Sequence, residues 1–88
     1  MEAREIASWM LRELEAQGCI YQDDVVDYLV RAKADELLRE NSDGNLVVGR
    51  AVLEAFKAMT ETRVVWVKPE RYWRFRVAED DSGREARG

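Results

Sequence analysis

RVVWVKPERYWRFR, residues 63–76, decides how the chain folds. It holds five basic side chains, two tryptophans and one Pro–Glu break. Lys68, Pro69, Glu70 and Arg71 read as a four-residue hairpin loop, because proline suits the second position of a tight turn. Pairing around that loop sets Trp66 opposite Trp73 and Val64 opposite Phe75. Side chains alternate between the two faces of a strand. One face of the hairpin then carries Val64, Trp66, Trp73 and Phe75. The other carries Arg63, Val65, Val67, Tyr72, Arg74 and Arg76. Aromatic and basic residues separate cleanly by this alternation. The aromatic face is therefore expected to close a core, with the guanidinium groups outside.

Working back from the hairpin, Gly49 or Arg50 opens a helix to about Glu61. Val52, Leu53, Phe56, Met59 and Thr60 make its inner face. NSDGN, residues 41–45, is a turn, since Asp-Gly accommodates positive φ. Its oxygen side chains have the spacing that opens a calcium loop. The twelfth position, where such a loop needs a bidentate carboxylate, is Val52, so the match fails. Residues 34–40 either prolong the preceding helix or are partly extended. That preceding helix is capped by Asp23 or Asp24 and carries Val25, Val26, Leu29, Val30 and Ala32. Asp27 and Arg31 are spaced as an i,i+4 ion pair. Cys19, Ile20 and Tyr21 are too few for an independent strand and suit an added edge on the hairpin. Residues 3–17 form the first helix, with Ile6, Met10 and Leu14 at four-residue spacing and Gly18 as its stop.

The expected architecture is α+β: three helices plus a C-terminal β-hairpin with a short third strand. The element order is that of a winged-helix domain, with the hairpin as the wing. The domain spans residues 1–78, and 79–88 form a disordered acidic tail. The predicted core holds Ile6, Met10, Leu14, Val26, Leu29, Leu53, Phe56, Trp66 and Trp73.

Eighty-eight residues make one domain. Such a chain buries roughly 60–65% of its unfolded surface, enough for one core but little more. No small-molecule substrate is evident, and no cofactor or metal is expected. Histidine is absent and Cys19 is the single cysteine. That removes the usual general base, an intrachain disulfide and a cysteine-based zinc site. Asp23–Asp24 and Asp80–Asp81 sit in exposed segments without positioning, so the chain is read as no enzyme. The N-terminus is charged and amphipathic, neither a signal peptide nor a membrane span, which makes a cytoplasmic setting the expectation.

The net charge of −4 conceals an asymmetry. Residues 1–62 carry seven basic and thirteen acidic side chains, and residues 63–76 carry five basic and one acidic. The acidic total argues against strong nonspecific DNA binding. A nucleic-acid-binding wing would use Arg63, Lys68, Arg71, Arg74 and Arg76. The third helix balances Arg50 and Lys57 against Glu54 and Glu61 and offers no Asn or Gln to read adenine. Protein association is the favoured class, with a second copy of the chain as a candidate partner. Its interface would be Val65, Val67, Tyr72, Arg74 and Arg76, because apolar residues clustered between arginines on an open face mark contact surfaces.

The chain also resembles a family of small uncharacterised bacterial proteins, some carried on mobile (integron) gene cassettes. The likeness rests on Asn41, Gly44, Asn45 and Leu46, then Val52, Leu53 and Phe56, then Val64, Val65, Trp66, Trp73 and Arg74. It covers residues 5–77 and implies a winged-helix-like fold. It implies no activity and no catalytic residues.

Overall fold

The computed structural model describes residues 1–77 and the backbone of 85–86. Helix α1 runs Ala3–Gln17, strand β1 Cys19–Tyr21 and helix α2 Gln22–Arg31. A 3-10 turn, Asp35–Leu37, leads into β2 (Leu38–Glu40) and β3 (Leu46–Val48). Helix α3 (Arg50–Thr60), β4 (Val64–Val67), β5 (Tyr72–Phe75) and β6 (Glu85–Ala86) follow. The fold is α+β, three helices with a C-terminal hairpin and a short third strand. Its element order is compatible with a winged helix. Between α2 and α3, however, lie residues 32–49 with a two-stranded arm, where a helix-turn-helix has a tight turn.

Each helix buries a stripe at four-residue spacing, the repeat that keeps side chains on one helical face. The stripes are Ile6, Met10 and Leu14 in α1, Val25 and Leu29 in α2, and Val52, Phe56 and Thr60 in α3. The cap expected from Asp23 or Asp24 is replaced: Tyr21 is the N-cap of α2 and both aspartates lie in its first turn. Their charge there still suits the positive end of the helix dipole. Val25 is fully buried and Val26 only partly, because strand β1 runs directly into α2 and sets its rotation. Gly18 ends α1 at φ +83°, its N–H donating to the Leu14 carbonyl at 2.8 Å.

The main sheet has the order β1-β5-β4-β6. Trp66 pairs with Trp73 and Val64 with Phe75, the register expected from the hairpin. On the other side of β5, Ile20 pairs with Trp73. The inner face packs on α1 and α3. Trp73 meets Phe56 edge-on at 5.8 Å and Trp66 at 4.6 Å between ring centroids. Trp73 is 7% exposed, and Trp66 is half-buried against the same cluster. Leu53 and Val26 also pack on it as partly buried residues.

The β2–β3 arm resolves the ambiguous residues 34–40 into one 3-10 turn and one strand. Asn41 holds its tip: the side-chain oxygen accepts the N–H groups of Asp43 at 2.9 Å and Asn45 at 3.0 Å. The loop is an ordinary turn in which the amide side chain supplies a local acceptor. The arm is tied to the core at Gly49, whose N–H donates to the Leu37 carbonyl at 2.8 Å. The expected tail, 79–88, lies outside the described residues except at Glu85–Ala86, which run parallel to β4.

Candidate functional site

The sheet has a second face, opposite the helices, and the proposed interface residues belong to it. Cross-strand pairing forms two rows. Cys19, Arg74 and Val65 make one, and Tyr21, Tyr72 and Val67 the other. Tyr21 and Tyr72 contact each other at 5.1 Å, and Tyr21 is 44% exposed. Of the expected set, the pairing sets Tyr72, Arg74, Val65 and Val67 side by side, adds Tyr21 and Cys19 from β1, and leaves Arg76 just beyond the end of β5.

The exposure expected for two of these residues is corrected. Val65 and Val67 are both 0% exposed, and both lie outside the helix-side cluster. A hairpin read by itself leaves one face and two edges open to water. Here β1 takes one edge, at β5, and β6 takes the other, at β4. Glu85 pairs with Trp66 and Ala86 with Val67. Edge pairing occupies the backbone of β4 and does not by itself bury side chains on its face; neither that pairing nor the burial of Val65 and Val67 left a local signal at residues 63–67.

The five cations of the hairpin divide into two groups. Arg63 donates through Nη2 to the Met59 carbonyl at 2.7 Å, at the negative end of α3. Arg76 donates through Nε to the Thr62 carbonyl at 2.6 Å, and Arg74 through Nη1 to the Phe75 carbonyl at 3.1 Å. Arg63 and Arg76 thereby tie the hairpin to the end of α3 and the loop after it, and Arg74 bonds within β5. Lys68 and Arg71 stand apart at the loop, where Arg71 adopts φ +56° and its N–H donates to the Val67 carbonyl at 2.9 Å. The loop is held from below by Gln22, whose N–H donates to the Arg71 carbonyl at 2.9 Å.

Elsewhere the charges pair locally. Arg50 reaches Glu54 at 3.2 Å, and Arg31 reaches Asp27 at 3.1 Å. Cys19 is half-buried. Among the described residues, no group of three or more acidic, histidine or cysteine side chains is placed to hold a metal. No helix is long and apolar enough to cross a membrane.

The chain belongs to a family of unknown function (DUF6953), whose pattern matches residues 2–75. No curated protein and no solved structure matches it.

Proposed function

Taking membership of that uncharacterised family as the premise, we propose that the chain is a small non-catalytic binding module that acts by protein association. The contact is an extended segment laid beside β4, together with the tyrosine-bearing face of the sheet. In this reading the protein is bacterial, cytoplasmic and of the cassette-borne kind. The observation that carries the proposal is the parallel pairing of β4 with β6. A strand with unpaired N–H and C=O groups along one edge accepts an added strand from the same chain or from another. The same edge that takes Glu85–Ala86 can take the equivalent segment of a second copy, which is how domain-swapped dimers form. Tyr21 and Tyr72 supply the amphipathic contact area that interfaces favour. The charge asymmetry sets the acidic residues 1–62 of each copy against the basic residues 63–76 of the other, as a two-fold dimer allows.

A nucleic-acid-binding wing is the weaker reading. It needs its cations as one free stripe, whereas Arg63, Arg74 and Arg76 each spend a donor on a backbone carbonyl. On α3, Arg50 is paired with Glu54.

Sedimentation velocity across a concentration series tests the proposal on the full chain. The wild type is expected to show a concentration-dependent dimer. Ala86→Pro removes a backbone donor from β6 and should weaken that dimer at least about tenfold, or about 1.4 kcal/mol. Tyr72→Glu should do the same from the sheet face. A wild-type chain that stays monomeric at every concentration, or a dimer indifferent to both changes, overturns it.

A further inference from the structure

On the helix side of the hairpin loop, a cavity of about 420 Å³ opens between the β2–β3 arm and the β4–β5 hairpin. Its apolar wall is chiefly the half-buried Trp66, since Trp73 behind it is only 7% exposed, and its polar rim includes Arg39, Lys68, Arg71 and Gln22. Among the described residues, no carboxylate lines it. Glu70, which lies between Lys68 and Arg71 in sequence, is not among the lining residues. The chain as a whole carries a net charge of −4, yet among the described residues this cavity gathers three cations and no acid.

Those cations are uncommitted among the described residues. None of Arg39, Lys68 and Arg71 makes an ion pair or a side-chain hydrogen bond among the described residues. They come from two elements that the fold holds close together. Arg39 sits in β2, registered opposite Val47. Lys68 and Arg71 sit in the hairpin loop, which Gln22 ties to the start of α2. Gln22 Oε1 lies 3.5 Å from the Val48 N–H, and its amide nitrogen makes no hydrogen bond among the described residues.

We propose that this cavity is a binding site for a small anion that carries a planar ring, of the size of a nucleoside monophosphate. Ligand sites are concave, mostly apolar, and carry a few convergent polar groups; volumes run from roughly 300 to 1,000 Å³. Indole faces stack with planar rings, and neighbouring guanidinium and ammonium groups bind phosphate or carboxylate. A bare inorganic anion would leave the tryptophan wall unused, and a neutral ring would leave the cations unused. The site lies on the opposite side of the sheet from Val65 and Val67, so it is independent of how the β4 edge is used.

The test follows the three indole N–H resonances of the full chain by nitrogen–proton correlation NMR. Trp66 and Trp73 line the cavity, while Trp9 stacks on Tyr28 at 4.1 Å away from it and serves as the internal control. The probes are adenosine 5′-monophosphate, indole-3-acetate, adenosine and inorganic phosphate at low salt. Adenosine monophosphate and indole-3-acetate separate phosphate from carboxylate as the anionic group. Saturable shifts of Trp66 and Trp73, with Trp9 fixed, are expected for at least one of these two. Adenosine and inorganic phosphate should each bind at least about tenfold more weakly. Arg39→Glu with Lys68→Glu should reduce affinity at least about tenfold and leave the unfolding temperature unchanged, since both side chains are exposed. The proposal is overturned by no shift at millimolar ligand, by equal response to inorganic phosphate, or by all three indoles moving together. It is also overturned by a double variant that binds as the wild type does, or by a chain that binds an oligonucleotide but neither ring-bearing anion.

Discussion

Gly49 carries a constraint that no other residue type meets. A Cβ built there would stand 2.5 Å from the Leu37 carbonyl oxygen and 2.9 Å from its carbon, both backbone atoms. The position holds the β2–β3 arm against the start of α3. Gly49→Ala must therefore move the backbone of one or the other, at a cost of about 1–3 kcal/mol. Chemical denaturation should show that loss as a lower midpoint with an unchanged slope. Stability equal to the wild type would mean that the approach is looser than described. Gly49 was legible as a helix boundary, but its close contact with Leu37 was not, because proximity across twelve positions leaves no mark in local pattern. The same limit applies to Arg39. Its neighbours in sequence say only that it lies on a strand or a helix. That it lines one cavity with Lys68 and Arg71 follows from the arm packing on α2, to whose start the hairpin loop is tied.

Elements with strong periodicity were legible and their joints were not. The three helical stripes follow directly from four-residue spacing, and the register of β4 with β5 follows from alternation around one proline-bearing loop. The start of α2 did not follow, because two adjacent aspartates look like caps wherever they stand. Strand β1 fixes that start by ending at Tyr21, which becomes the cap by position alone. The arm was half legible. NSDGN announced a turn, but three-residue strands are too short to show alternation of their own. The arm depends on its tip, where one Asn41 oxygen holds two backbone donors. Asn41→Ala should cost about 1 kcal/mol, in line with the loss of a local hydrogen-bonding side chain. Because the loss belongs to one element, amides of residues 38–48 should exchange faster while those of α1 do not. Uniform acceleration through the molecule would instead place Asn41 in the global folding unit.

At the scale of the whole molecule, one sheet separates two chemistries. Its inner face buries tryptophans against α1 and α3 and leaves a cationic cavity at one end. Its outer face carries Tyr21 and Tyr72, with Val65 and Val67 already covered. Alternation alone places the residues on these two faces. The burial of Val65 and Val67 on the outer face was not legible, and neither was the pairing of the β4 edge with residues 85–86, which lie far along the chain. The occupancy of that edge is the premise on which protein association rests, and it has a signature at single amides. Arg76 N–H donates to the Arg63 carbonyl at 2.7 Å, so that pair is hydrogen-bonded. Antiparallel pairs alternate. Val65 and Val67 therefore bond to β5, while the Trp66 N–H points to the opposite edge, where β6 lies. Residue-resolved hydrogen exchange on the full chain reads this directly. The Trp66 amide should be protected to the same order as those of Val65 and Val67. If Trp66 exchanges orders of magnitude faster than its two neighbours, the edge of β4 is open and the account of this surface is contradicted.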